Sequence, residues 1–291
     1  MVKTVFSSKA VDFRPKIGKI GRKTVVLENE IGRKNMDAEF KRKILELIMM
    51  PIDTTLQITK GTTPIPFFGN LEQATACTIS LNPSDREFYD AKNNLLENDR
   101  SRLCYRKKLG KKDEDKLSED DAEKVLKECE GYFDKKPYKL WFDKMETFLR
   151  AFDANLSYYE GSVVALDLVQ WATSTKWADL TDHSRSLLLQ TGLPFLEKLL
   201  SYKKFKFIFL NGKTVFSKIQ EQLKFQYIEQ PVNDGEKNFS AYFGEYNQSI
   251  VVGWSIYLQS AQGGSYDNIR KIAGHIFNEY SKHKTSINSK Y

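Results

Sequence analysis

The chain has 291 residues, of which 41% are hydrophobic and 29% charged, and it carries a formal net charge of +7. This balance is typical of a folded globular protein, and no apolar run is long enough to span a bilayer, so a membrane protein is excluded. The three cysteines are an odd number without a CxxC pair, which excludes a disulfide framework and a metal site made of four thiolates.

The first sixty residues are interpreted as an N-terminal extension. They lack the apolar core of a secretion signal, so the expected location is the cytoplasm. One amphipathic helix is predicted in them, DAEFKRKILELIMM, which Pro51 stops.

A charged helical insertion is predicted over residues 91–135. Its clearest helix is in LSEDDAEKVLKECEGYF, where Ser118 is the expected N-cap and Gly131 follows the end. Nothing in its composition indicates a separate domain, so residues 1–291 are treated as a single domain.

Outside that insertion, apolar runs alternate with helical patterns. The runs lie at 74–81 and in GSVVALDLV, KFKFIFLNG and QSIVVGWS. Continuous apolar strands separated by helices indicate a parallel sheet covered on both faces. The predicted fold is therefore a three-layer α/β/α domain with a central, mainly parallel, four-stranded sheet.

Small polar residues and glycines follow all four strands. At the end of the first strand stands Leu81-Asn82-Pro83-Ser84, and at the end of the second stands Asp167. The third strand ends in Asn211-Gly212, and the fourth leads through GWSIYLQSAQGGS. In open sheets, ligands bind beyond the carboxyl ends of the strands. Because GxGxxG, GxxxxGK[ST] and GxSxG are absent, dinucleotide, P-loop and α/β-hydrolase interpretations lose their main support.

These strand ends resemble the uracil-DNA glycosylase superfamily, over a region from about Pro64 to Phe277. The similar segments are SLNPS, ALDLVQWAT, FIFLNGKTV and GWSIYLQS. The resemblance implies a DNA base glycosylase, with Asn82 holding the hydrolytic water. The plain alternative is that Asn82-Pro83 only begins a turn. Two departures matter: no histidine stands in the loop after the last strand, and three cysteines are too few for the iron–sulfur cluster of some branches, so no cofactor is expected.

Further residues near Asn82 are candidates for the same chemistry. Asp85 could act as a base on the water, or cap the next helix. Phe88 and Tyr89 could stack on an extruded base, although core packing is the competing interpretation of Phe88.

The second strand end supplies the candidates for base recognition. The superfamily often has an asparagine where this chain has Asp167. An ionised carboxylate only accepts hydrogen bonds, so we expect a cytosine-type edge, including the modified cytosines of some phages, over uracil. Asp167 could instead cap a helix or pair with Lys176. Trp171 and Trp177 could line the pocket or pack in the core.

The loop after the last strand is predicted to contact DNA. It contains Ser255, Gln259, Ser260, Gln262, Gly263, Gly264 and Ser265. These side chains could bind phosphates or fill the gap left by a flipped base, and a mobile surface loop is the alternative.

Lysine and arginine clusters favour a polyanionic partner. They lie at Arg14 to Lys23, at Arg100 to Lys112 and in SKHKTSINSK, although each could be solvated surface. The sequence therefore predicts a monomeric, monofunctional DNA glycosylase acting on uracil or a modified pyrimidine, in repair or phage defence, without membrane or metal. A noncatalytic DNA-binding module and a small-nucleotide hydrolase are the rivals.

Overall fold

The computed structural model describes residues 36–233, 235, 237–261 and 263–288, with side chains described to residue 284. The predicted basic cluster Arg14 to Lys23 and Gln262 lie outside these residues. The chain divides into Met1–Asp37 and a compact unit, Ala38–Tyr291, and the fold below is that of the second unit.

Within the described residues, six α-helices and six strands form this unit. The helices are Ala38–Ile48 (α1), Glu119–Glu130 (α2), Lys139–Phe152 (α3), Asp182–Tyr202 (α4), Lys213–Leu223 (α5) and Tyr266–Asn288 (α6). The strands are Ala76–Ser80 (β1), Val163–Asp167 (β2), Phe207–Asn211 (β3), Tyr227–Asn233 (β4), Asn238–Tyr246 (β5) and Ser249–Trp254 (β6). No described helix is long and apolar enough to cross a membrane.

The four predicted strands form the parallel core of one sheet. The strand order is β2-β1-β3-β6-β5-β4, and the first four strands are mutually parallel. β1, β2 and β3 are buried along their whole length, which explains their unbroken apolar sequences. The parallel α/β architecture is thus confirmed, and the carboxyl ends of these strands share one edge.

The prediction of four strands is wrong, because β4 and β5 extend the sheet to six. They form an antiparallel pair, and β5 pairs with β6. β4 is largely exposed and contains Pro231, a residue that edge strands tolerate because it removes one backbone donor. This polar, proline-containing edge strand lacks the continuous apolar run that identified the others.

Helices cover both faces of the sheet. On one face α3 packs against α6, and the ring of Phe152 contacts that of Phe209 in β3. On the opposite face α5 contacts β3 and β6, where Phe216 lies over Gly253. The layers are therefore helix, sheet and helix, as the alternating pattern predicts.

Part of the predicted N-terminal extension belongs to the body of the protein. Ile52 and Ile58 pack in a buried cluster with Trp171. The buried guanidinium of Arg106 donates hydrogen bonds to four backbone carbonyl groups, those of Met50, Thr62, Lys112 and Asp115. Residues 38–60 are thus tied to the insertion and to the sheet.

The insertion contains α2 and several 3₁₀ turns. Its predicted N-cap is confirmed, because Ser118 and Asp121 form a capping box at the start of α2. The basic cluster from Arg100 to Lys112 lies here, and most of its charges have local partners. The ion pairs are Arg100 with Asp90, Lys107 with Glu97, Lys108 with Glu128, and Lys111 with Asp121. This cluster therefore offers DNA less free charge than its sequence indicates.

Candidate functional site

A cleft of about 760 Å³ lies at the carboxyl ends of the parallel strands. Its walls come from the loop after β1 (81–86), the start of α3, the loop after β2 (173–177) and the loop after β6. Asn211, the last residue of β3, and Gly212 line a neighbouring pocket of about 200 Å³. The cleft is thus built from the strand ends that sequence reasoning selected.

Asn82 lines this cleft, and its amide group is held in one orientation. Its Nδ2 donates to the Thr173 hydroxyl (3.0 Å) and to the Pro83 carbonyl oxygen (2.9 Å). The Thr173 hydroxyl donates its single proton to the Thr175 carbonyl oxygen (2.8 Å), so it can only accept from Asn82. The Asn82 carbonyl oxygen accepts no hydrogen bond from the described residues, which leaves it free to accept one from a water.

The loop that carries Thr173 is fixed by the segment before the sheet. Thr173 pairs with Ile58 in an isolated antiparallel bridge. The Thr59 N–H donates to the Ala172 carbonyl oxygen, and the Ser174 N–H donates to that of Gln57. The orientation of Asn82 therefore depends on residues 57–59, within the segment predicted to be an extension.

Asp85 also lines the cleft, but it does not cap the next helix. Ser84 is the N-cap of the 3₁₀ helix Asp85–Glu87, with its hydroxyl accepting from the Arg86 N–H. The Asp85 carboxylate accepts from the Ser84 hydroxyl (3.3 Å) and lies 3.7 Å from the Arg86 guanidinium. It remains a candidate base.

Asp167 lines a second, much smaller cavity of about 10 Å³. Four residues line both spaces, so the cavity adjoins the cleft: Pro83, Ser84, Trp141 and Gln259. The cavity has room for about one water molecule. A pyrimidine in the cleft could therefore reach Asp167 with one edge only.

Burial disfavours the ionised form of Asp167. Burial, and then the charge of Glu87, raise the pKa of this carboxyl well above its ordinary value. Its side chain makes no hydrogen bond or ion pair with the described residues, and the alternatives of a helix cap and a pair with Lys176 are not realised. The expected preference for a cytosine edge assumed an ionised group, and the raised pKa of Asp167 acts against that form.

Glu87 is a cavity residue that sequence reasoning missed. It is 1% exposed, and it lines the same cavity as Asp167. Burial raises the pKa of Glu87 to about 7, although the Tyr132 hydrogen bond and the Arg102 charge act to lower it. A carboxylate beside an apolar residue in DREFYD gave no sign that it would be buried.

The aromatic residues predicted to stack on a base lie elsewhere. Phe88 and Trp171 are buried in the core, and the Tyr89 hydroxyl donates to the Lys60 carbonyl oxygen. None of the three lines the cleft or the small cavity. The aromatic walls of the cleft are instead Tyr138, Trp141, Trp177 and Tyr257. Of these, only Trp177 was a candidate.

The loop after β6 is a tight turn rather than an open insertion loop. A Cβ on Gly263 would lie 1.8 Å from the Leu258 carbonyl oxygen, and Gly264 has φ +71°. Both glycines are therefore required by the turn itself. Ser255 exchanges hydrogen bonds with Ser240 in β5, and the Ser265 hydroxyl accepts from the Asn268 N–H at the start of α6.

Gln259 and Ser260 are the predicted loop residues that line the cleft. The Gln259 Oε1 accepts from the Asn211 amide (2.6 Å). Asn211 is held by two obligate donors, since its Oδ1 accepts from the Trp254 indole N–H (3.1 Å) and the Leu258 backbone N–H (3.2 Å). The Gln259 NH₂ group is thereby left to donate towards cleft and cavity, and no described residue accepts from it.

The described residues hold no group of three His, Cys, Asp or Glu side chains that could bind a metal ion. No protein-family model matches the chain, and no curated protein sequence matches it. The fold and the site define an α/β protein with a cleft at the carboxyl ends of its parallel strands. Among the described residues, nothing bonds to the amide oxygen of Asn82 or to the NH₂ group of Gln259, and the adjoining cavity holds a buried carboxyl group whose pKa is raised.

Proposed function

We propose that the protein is a monofunctional DNA base glycosylase of the uracil-DNA glycosylase type. It flips uracil or a modified pyrimidine, modified cytosine included, into the cleft and hydrolyses its N-glycosidic bond to leave an abasic site. The observation that carries the proposal is the oxygen of Asn82, which accepts from no described residue and is aimed by Thr173 in a cleft that adjoins the small cavity of Asp167. The parallel core with helices on both faces also agrees with the resemblance in sequence.

Asn82 would position the water that attacks the sugar carbon. Its carbonyl oxygen accepts a hydrogen bond from that water, whose orientation is then fixed before reaction. As the bond to the base breaks, the sugar becomes oxocarbenium-like and the base leaves with the bonding electron pair. Asp85, on the same wall of the cleft, takes the proton that the water loses.

Gln259 would stabilise the departing base. The resemblance implies a histidine or asparagine near the base after the last strand, and the loop that follows β6 here, residues 255–265, contains neither. The NH₂ group of Gln259 supplies a neutral donor there, and it can stabilise the negative charge that develops on a pyrimidine carbonyl oxygen. Trp141 and Tyr257, with ring centroids 5.7 Å apart, offer faces for the ring to contact.

The partner in this proposal is DNA. Arg86 and Lys176 line the cleft and can contact phosphates on either side of a flipped nucleotide. Lys176 is also an amine that could form a Schiff base with an abasic sugar. Borohydride trapping of the protein on abasic DNA tests the monofunctional proposal, because a covalent product would contradict it.

The decisive experiment is mass-spectrometric detection of the base released from a panel of DNAs. The panel contains uracil, cytosine and modified cytosine, in single strands and in duplexes. Asn82→Ala should lower the rate of release about 100-fold or more, with salt-dependent DNA binding retained. Asn238→Ala, at the exposed start of β5, is the matched control and should leave the rate unchanged. Release only from modified-cytosine DNA would favour phage defence, and release from uracil DNA would favour repair.

A noncatalytic DNA-binding module is the second candidate. It is favoured by one observation, that the described residues lining the cleft include no histidine. This candidate predicts DNA binding without base release from any member of the panel. A wild-type protein that releases no base would therefore support it against the glycosylase.

A further inference from the structure

Two buried carboxyl groups face one small cavity, and no positively charged side chain of the described residues is hydrogen-bonded to either of them. Glu87 comes from the 3₁₀ helix after β1, and Asp167 ends β2. Two carboxyl groups that share a buried space cannot both ionise without a large electrostatic cost. The hydrogen bonds around each group decide which one holds the proton.

Two groups favour the ionised form of Glu87, although burial outweighs them and raises its pKa to about 7. The Tyr132 hydroxyl accepts a hydrogen bond from the Tyr138 N–H (2.8 Å), so its own proton is directed to the Glu87 carboxylate. Arg102 adds a positive charge near Glu87, and it also donates to the Arg86 carbonyl oxygen. A donor and a cation thus act on this group.

The surroundings of Asp167 favour its neutral form. Its carboxyl group receives no hydrogen bond from the described residues, and its neighbouring titratable groups are Glu87, Tyr158 and Tyr257. Burial raises the pKa of both tyrosines, so they stay neutral. The nearest charge is therefore the negative charge of Glu87.

We propose that Glu87, whose carboxylate accepts the proton of the Tyr132 hydroxyl, is the positioning residue that keeps Asp167 in its neutral acid form. The cavity then presents a base with both a hydrogen-bond donor and an acceptor. The assignment of a base as ligand rests on the proposed function, but the protonation of the pair does not.

The neutral acid defines the class of ligand edge that the cavity accepts. It can pair with any edge that carries a donor beside an acceptor. Uracil offers N3–H and O4, and cytosine offers N4–H and N3, so each can form two hydrogen bonds with Asp167. An ionised Asp167 would accept one hydrogen bond and repel the neighbouring acceptor. Discrimination between the two bases must then come from the rest of the cleft.

Infrared difference spectroscopy of the protein alone tests the inference. The carbonyl band of a protonated carboxyl group is assigned to Asp167 by its loss in Asp167→Asn. In the wild type this band should persist at neutral pH and be lost only in alkaline solution. Glu87→Gln removes the negative charge and should shift the loss to lower pH by about one unit or more. Glu229→Gln, on the exposed edge strand β4, is the matched control and should cause no shift.

A second variant keeps the test informative if Glu87→Gln does not fold. Tyr132→Phe keeps the ring and removes the donor to Glu87, so it should move the loss of the Asp167 band in the same direction. An ionised Asp167 in the wild type at neutral pH, or an unshifted band in both variants, would overturn the inference. Absence of base release from every DNA would refute the proposed function and leave the infrared result unaffected.

Discussion

Replacing Glu87 by Gln should change how the stability of the protein depends on pH. Glu87 has an ordinary pKa of 4.5, which its burial raises to about 7 in the native protein. Between these two values the native state binds more protons than the unfolded state, so stability falls as the pH rises. The stability that protonation of Glu87 provides is complete below the ordinary pKa and is lost by about pH 7.

The size of this effect follows from the two pKa values. One pKa unit corresponds to about 1.4 kcal/mol, so the wild type should lose about 2–3 kcal/mol of unfolding free energy through Glu87 between pH 5 and pH 8. Gln does not titrate, so this loss should be absent in Glu87→Gln. Asp167 adds a further loss of the same sign in the wild type. If the pKa of Asp167 falls in Glu87→Gln, Asp167 contributes a smaller loss there than in the wild type. The difference between the two proteins in the change of unfolding free energy from pH 5 to pH 8 then becomes larger.

Urea unfolding at a series of pH values measures the effect, because urea adds no salt that would screen charges. The quantity to compare is the change in unfolding free energy from pH 5 to pH 8 in each protein, which cancels any constant cost of the substitution. Glu229→Gln should behave as the wild type does. Equal pH slopes in wild type and Glu87→Gln would refute a buried, proton-binding Glu87.

Two further substitutions test how the site is held. Thr173→Val keeps the shape of the side chain but removes the hydroxyl that orients Asn82, so base release should slow about 10- to 100-fold while DNA binding persists; an unchanged rate would mean that Thr173 does not set the orientation. Gly263→Ala places a Cβ against the Leu258 carbonyl oxygen and should cost about 1–3 kcal/mol of stability, measured by urea unfolding. Gly274→Ala, in α6 with open space around it, should be neutral or stabilising, and an equal loss in both would contradict the steric reason.

The parallel core could be predicted because its strands are buried on both faces. Such strands leave continuous apolar runs, and the residues that follow them must lie at one edge of the sheet. That reasoning placed Asn82 at the cleft and Asp167 at the cavity beside it. The edge pair β4 and β5 left no such run, since β4 is exposed and β5 mixes buried and half-buried positions.

The lining of the site was harder to predict, because it depends on the path of short turns. Glu87 and Phe88 are adjacent and both buried, yet the charged residue faces the cavity and the aromatic one packs in the core. The sequence suggested the reverse, with the aromatic Phe88 at the site and the charged Glu87 away from it. The aromatic wall comes largely from Tyr138 and Trp141 at the start of α3, which is distant in sequence from every strand end. Hydrophobic periodicity predicts that a helix forms, but it does not predict that the start of this helix lies beside the cleft.

The hydrogen-bonding character of the site is set by groups that lie behind the cleft. The Thr173 hydroxyl makes Asn82 present an oxygen, and the Trp254 indole, through Asn211, makes Gln259 present an NH₂ group. Each orienting group has a fixed donor or acceptor role, so the polarity of the site exists before any ligand arrives. Substitutions at Thr173 should therefore alter chemistry more than affinity, because they disturb the orientation of Asn82 while leaving the cleft walls in place.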